Sequence, residues 1–419
     1  MFDLPELIEK LPTIVCMNKL DKKIFGTLFF SIFGTVTGVG IVVPLLPVYA
    51  HGLGATGLYI AMIFGAFSLS RTFFLPYFGR LSDKKGRKPI IIAGLLAYAL
   101  VSLAFMLANN VEALITIRFL QGIASAMIMP ATQAYIGDIT PAGREGTTMG
   151  LFNMSMFTGL SIGPFIGGVI NDSFSLDTSF ACMGFLAFAA FLLSYFLLPP
   201  TRSEKVVGSG KAPTDWKWLL YDRDMAGMFL FRMAYAACIG VIWSFLPILA
   251  DAEFSLSSSS IGVLVTIGVF FSGLMHLPMG FLADRLNRKM MVVTGGLVIS
   301  YAILSFQWAD SFWDLVLGNV LFGVGGGVAM PALMALAVSK GGTADAMGSV
   351  MGLMSMSHSL GMLTGALFAG LMMDIFQLRH AFPSGAVLML LSVGLFFLFT
   401  YSKNGVPAEA DLKVGPLDL

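Results

Sequence analysis

The chain has 419 residues, of which 57% are hydrophobic and 12% charged, far too little polar surface to coat a water-soluble globule of this size. Its 25 Lys and Arg almost balance 24 Asp and Glu, which gives no net pull toward nucleic acid or anionic substrate and makes the position of each charge more informative than the total. Cys16, Cys182 and Cys238 lie far apart with no CxxC spacing and no nearby histidine pair, which argues against a metal site or a disulfide framework and leaves them as packing residues.

A helix that crosses a bilayer needs about 20 apolar residues. Twelve such segments are predicted, at roughly 24–50, 57–78, 89–109, 113–137, 147–170, 178–198, 225–250, 259–281, 290–309, 313–338, 346–373 and 380–401. Residues 1–23 mix acids and lysines with isolated apolar residues, and the apolar run that follows is too long for a signal-peptide core. That run is expected to remain as the first span. Its Gly34, Gly38 and Gly40 either line a cavity or pack against a neighbour.

Arg71 in the second span lies eight residues before Gly79, about 12 Å from the helix end at 1.5 Å per residue. That depth points to a cavity or gating role, with a structural pair as the alternative. The loop Gly79-Arg80-Leu81-Ser82-Asp83-Lys84-Lys85-Gly86-Arg87-Lys88 recurs, offset by 201 residues, as Gly280-Phe281-Leu282-Ala283-Asp284-Arg285-Leu286-Asn287-Arg288-Lys289. Such a repeat, flanked by apolar segments in both copies, predicts two matched halves.

In the fourth span, Arg118 and Gln121 share a turn, and an intramembrane arginine usually faces a cavity or partner. Because Arg118 is only about five residues from the helix end, snorkelling toward water is the alternative. The fifth span carries Gly159, Gly163, Pro164, Gly167 and Gly168. Glycines four apart allow two helices to touch closely, and proline bends the helix. The equivalent stretch of the eleventh span, Gly361 to Gly370, lacks the proline and one glycine, so the full pattern belongs to the first half alone.

The polar, turn-rich segment 199–224 is predicted to link the halves, with Trp216-Lys217-Trp218 as interfacial anchors. Arg232 in the seventh span has lipid headgroups, the linker and the cavity as equal options. His276 lies near a helix end and is read as structural. His358 falls about twelve residues into the eleventh span, where it either carries a proton or is a hydrogen-bonded bundle histidine. No Asp or Glu falls centrally in any span.

Of the 25 Lys and Arg, 21 fall in 1–23, 79–88, 138–146, 199–224, 282–289, 339–345 and 402–419, all on one side of the proposed topology. By the positive-inside rule both termini are expected in the cytoplasm. The organisation predicted is a cytoplasmic segment 1–23, six-helix bundles at 24–198 and 225–401, a linker at 199–224 and a cytoplasmic tail at 402–419.

The loop from Gly79 to Lys88 resembles the signature G-x-L-[S/A]-D-[R/K]-x-G-R-[K/R] of the major facilitator superfamily. Arg118 to Gly122 resembles its R-x-x-Q-G signature. Gly159 to Gly168 resembles G-x-x-x-G-P-x-x-G-G, found in its proton-linked antiporters. The chain is thereby most similar to the 12-helix drug:proton antiporter group.

The resemblance implies an all-α membrane fold of two pseudo-symmetric six-helix bundles that rock about a mid-membrane substrate site. It implies a conformational latch of Gly79, Asp83, Gly86, Arg87 and Asp138, with Asp83 acting on the eleventh helix and Arg87 pairing with Asp138. The second latch, Gly280, Asp284 and Arg288, looks weaker, since Asn287 replaces the glycine and Ser339 stands where Asp138 does. Arg71, Arg118, Gln121, Arg232 and His358 are the candidates for coupling or substrate contact.

Arg71 departs from the group, whose members often carry glutamine there, and favours carboxylates or phosphates over cations. The expected function is proton-coupled efflux of a small amphipathic or anionic compound, the multidrug-resistance type of activity. The rival readings are an importer or uniporter of a small organic metabolite, and a non-transporting receptor or scaffold. An enzyme is not expected, since no nucleophile and base pair or phosphate loop stands out. No cofactor is expected beyond the proton gradient as energy source. The expected partners are a small-molecule substrate and the lipid bilayer, with the chain working as a monomer. In a bacterium its place would be the inner membrane.

Overall fold

The computed structural model describes residues 18–140, 145–199, 221–283, 285–343 and 347–401. The first half contains α1 (Lys19–Gly52), α2 (Gly57–Lys85), α3 (Arg87–Ala104), α4 (Val111–Ile139), α5 (Glu145–Ser173) and α6 (Leu176–Leu197). The second contains α7 (Arg223–Ala252), α8 (Ser258–Ala283), α9 (Arg288–Ser305), α10 (Phe312–Thr343), α11 (Met347–Ile375) and α12 (Ala381–Tyr401). All twelve are long and apolar enough to cross a membrane.

Local chemistry sets the ends. Asn18, Asn110, Ser175 and Asp222 each accept a backbone N–H from the first turn of α1, α4, α6 and α7, satisfying donors that have no partner within the helix. α1 breaks at Val43–Pro44, where proline cannot supply the next backbone donor, and resumes over Leu45–Gly52. Helix α2 continues to Lys85, past the predicted end at 78. Hydropathy falls where the bilayer ends, whereas the helix persists through the polar residues beyond it.

The packing obeys the repeat. In the first half α1 packs on α5 and α6, α2 on α4, and α3 on α4 and α6. The second half reproduces each pairing, with α7 on α11 and α12, α8 on α10, and α9 on α10 and α12. Phe73, Phe196 and Trp313 point outward as large apolar side chains, which suits lipid rather than water.

The two most extensive contacts between the halves are α2 with α11 and α5 with α8, again related by the repeat, and α7 adds smaller ones to the end of α1 and to α2. The buried apolar core shows where they are closed. One cluster, including Ile24, Leu28, Tyr98 and Phe152, stays within the first half near the basic loops. The other runs from the second half into Leu46, Phe64, Phe105 and Phe180 of the first, at the end opposite those loops. The halves therefore share one continuous apolar core at the end away from the basic loops.

Candidate functional site

Gly86 joins α2 to α3 with φ 90° and ψ 156°, a conformation that side chains rarely tolerate. That turn directs Arg87 back into the loop. Its Nη1 donates to Ser82 Oγ at 2.9 Å and to the Asp83 carboxylate, and its Nε donates to Asp138 Oδ2 at 3.2 Å. Asp83, expected to act on α11, is thus held by Arg87 within its own half. Gly79 and Gly280 are not points of close approach: a Cβ on Gly79 would meet Pro130 only at 3.8 Å, and nothing lies within 4 Å of one on Gly280.

In the second copy Asp284 lies outside the described residues. Arg288 Nε donates to the Ala283 carbonyl at 2.9 Å. Asn287, standing where the first copy has Gly86, has φ −67° and caps α9 by accepting from Lys289 and Met290 N–H at 3.0 and 3.3 Å. The two loops therefore turn by different chemistry. Next to Ser339, Lys340 pairs with Asp222 at 2.6 Å and closes the second half with a different ion pair. Lys88 and Lys289 do more than set topology, since their ammonium groups donate to the Leu198 and Thr400 carbonyls that end α6 and α12.

The glycines of α5 have two separate neighbours. A Cβ on Gly159, Gly163 or Gly167 would lie 2.9, 2.6 or 2.2 Å from the Phe33, Thr37 and Ile41 carbonyls of α1. One on Gly168 would lie 2.2 Å from the Ser258 carbonyl of α8, in the other half. Pro164 sits between these faces, its carbonyl 2.3 Å from a Cβ placed on Gly262. On the other side of the molecule Gly361 and Gly365 press on Met233 and Ala237 of α7, and Gly370 on Gly57 of α2. Close backbone contact is therefore common to both halves, and only the proline-bearing version is restricted to the first. Gly40 of α1 meets Gly163 and Pro164, which assigns it to packing.

The membrane-embedded charges fall into two groups, with the buried Tyr98 of α3 within electrostatic reach of both Arg118 and Arg71. Arg118, 5% exposed, does not snorkel: its guanidinium lies 5.1 and 4.8 Å from the Phe64 and Phe67 rings and donates to Gln121 Oε1 at 2.8 Å. Gln121 Nε2 in turn reaches Met183 Sδ at 3.6 Å. Gly122 seats this group by letting α4 touch Phe67 and Ser70 of α2.

Arg71, Arg232 and His358 form the second site. Arg232 Nη1 reaches Met330 Sδ at 2.7 Å, a weak acceptor, and its guanidinium lies 6.0 Å from the Tyr235 ring. Arg71 Nε, Arg232 Nε and His358 Nδ1 are buried without a hydrogen-bond partner. His276 bonds to the Ser272 carbonyl of its own helix at 2.5 Å and meets the Phe157 ring of α5 at 5.2 Å in a tilted contact. Cys238 is buried beside Gly385, while Cys16 and the Trp216-Lys217-Trp218 patch lie outside the described residues.

Three side chains outside the sequence motifs close the far end. The Asp172 carboxylate at the end of α5 accepts from Ser258 and Ser259 N–H at 3.0 and 2.8 Å, and Asn171 Nδ2 donates to Ser258 Oγ at 2.8 Å. Asp374 at the end of α11 accepts from Gly57 and Leu58 N–H at 2.6 and 2.9 Å. The signal was present, because each aspartate stands four residues after a repeat-related glycine, Gly168 or Gly370.

The family model of the Major Facilitator Superfamily matches residues 28–241 and 225–417. The chain belongs to this superfamily. Superfamily members of this type are transporters and not enzymes. An uncharacterised superfamily transporter of Methanocaldococcus jannaschii is 29% identical over 88% of the chain and 96% of its own length. Multidrug resistance protein 2 of Bacillus subtilis is 27% identical over 92% of the chain and 98% of its own length. The fold matches an inward-facing, unoccupied bacterial homologue of the human lysosomal transporter Spinster, with TM-score 0.79 and 13% identity over 92% of this chain and 98% of that one.

Proposed function

We propose that this superfamily transporter exports a small amphipathic or anionic compound by alternating access, driven by the proton gradient. The observation that carries the proposal is that the described residues close the two halves at the end away from the basic loops. Among the described residues the hydrogen bonds between halves, made by Asn171, Asp172 and Asp374, lie away from the basic loops, as does the shared apolar core. With the basic loops in the cytoplasm, by the positive-inside rule, this is a state that loads from inside. The likeness to Multidrug resistance protein 2 supports export over uptake. Substrate binds near mid-membrane between the halves, and the candidates for coupling or substrate contact are Arg71, Arg118, Gln121, Arg232 and His358, since no carboxylate among the described residues lies centrally in a span.

The test is export from proteoliposomes of a fluorescent amphipathic substrate under an imposed pH gradient. Accumulation that collapses with the gradient supports the proposal, and accumulation indifferent to it removes the coupling. Gradient-independent uptake of an organic anion would establish the rival reading, import or uniport through the same site.

A further inference from the structure

Arg71 and Arg232 are half-buried cations whose Nε atoms are buried without a hydrogen-bond partner, and among the described residues neither has a counter-charge. Among the described residues each Asp and Glu lies within a few positions of a helix end, so no carboxylate pairs with either guanidinium. An arginine at the centre of a membrane helix is costly to insert and usually faces a partner or a cavity. A charge placed there without a partner points to a ligand that supplies one.

The helix register brings both arginines to one histidine. α2 and α11 run antiparallel, with Gly57 beside Gly370 and Gly65 beside Leu363, so Arg71 comes level with His358. α7 and α11 run parallel, with Met233 beside Gly361 and Ala237 beside Gly365, so Arg232 comes level with His358 from the opposite flank. Both guanidinium groups act electrostatically on the imidazole. The exposed side chains of α2, Met62, Leu69 and Phe73, fall on the far side of the helix from Arg71 at about 100° per residue. Arg71 therefore turns away from lipid. Beside Arg232, Tyr235 stacks on Phe322 at 5.8 Å and supplies an aromatic wall.

We propose that Arg71 of the first half and Arg232 of the second, flanking His358, together bind the oxyanion of a small amphipathic organic acid. The ligand class is an aryl or alkyl carboxylate or phosphate monoester, with its apolar part against Tyr235 and Phe322. The planar arginine fork suits such groups, and an anion removes the mutual repulsion of the two cations. A cationic solute adds to that repulsion. Because the arginines come from different halves, one bound anion ties the halves together at mid-membrane. Arg118 has no part in the site, being enclosed by Phe64, Phe67 and Gln121. The inference rests on the transporter reading but not on its direction or its proton coupling.

The experiment is equilibrium binding to the purified full chain in neutral detergent with a matched naphthyl series: carboxylate, phosphate, neutral alcohol and ammonium. The two anions are expected to bind at least about tenfold more tightly than the alcohol or the ammonium. Arg71→Gln and Arg232→Gln are each expected to weaken the anions by about tenfold or more and leave the alcohol unchanged, while Lys289→Gln, outside the site, changes nothing. Preference of the wild-type chain for the ammonium, failure of both anions to bind at millimolar concentration, or anion affinity unaltered in both Gln variants would overturn the proposal. Should the variants not fold, the wild-type ranking of the four compounds decides alone. A failed export assay with intact anion binding would count against the direction or coupling and not against this site.

Discussion

Asp172 and Asp374, offset by 202 residues, make the same contact on opposite sides of the pseudo-twofold axis. Each ends a helix of its own half and accepts the first two backbone amides of a helix in the other half, α8 for Asp172 and α2 for Asp374. Those amides have no partner within their own helix and carry its partial positive charge, so a carboxylate there satisfies both needs. The contacts exist only when the far ends touch, and so they favour the closed arrangement.

Asp172→Asn and Asp374→Asn are each expected to shift the balance by about 1 kcal/mol, or about fivefold, toward the form open at that end, with the double substitution close to additive. Spin-label distances between the ends of α5 and α8 would report the shift. Unchanged distance distributions in the double variant would remove the aspartates from the gating equilibrium.

The glycine seam gives a position-specific prediction. Gly167→Ala would place a Cβ 2.2 Å from the Ile41 carbonyl, whereas Gly150→Ala meets nothing within 4 Å. The first is expected to destabilise the folded chain by about 1–3 kcal/mol through overpacking, and the second to be neutral within about 0.5 kcal/mol. Thermal unfolding in detergent separates them. Equal melting temperatures would mean that α1 and α5 move apart without cost.

Arg87→Gln removes the group that binds Ser82, Asp83 and Asp138 at once. A loss of about 1–3 kcal/mol is expected, since the guanidinium is largely buried and two carboxylates lose their partner. Lys340→Gln, at a cation more exposed than Arg87, is expected to cost about 1 kcal/mol or less. Melting temperatures and export rates of the two variants would check this order, and a larger loss for Lys340→Gln would reverse the ranking of the latches.

His358→Gln tests the coupling. The charged groups that face the imidazole are Arg71 from α2 and Arg232 from α7, with no carboxylate beside it among the described residues. The variant is expected to retain downhill exchange of substrate in proteoliposomes and to lose accumulation against a gradient. Gradient-driven accumulation at the wild-type rate would move the proton to another residue.

The sequence by itself determined the bilayer, the twelve spans and the two-fold repeat, because each follows from apolar run length and from recurrence along the chain. It also located the Arg87 loop, whose partners Ser82 and Asp83 are sequence neighbours, and placed Asp138 through the resemblance. Only the tertiary structure decided what the buried charges meet. Arg118 and Arg71 look alike in sequence, each a lone arginine in an apolar run, yet one is enclosed by Phe64, Phe67 and Gln121 and the other comes level with His358. Arg232 was open to lipid, linker or cavity until the register of α7 on α11 set its neighbours. The contacts of Asp172 and Asp374 are not legible in the sequence, because a carboxylate near a helix end is ordinary there. Their meaning depends on which helix begins opposite them, and that is set by how the two halves pack.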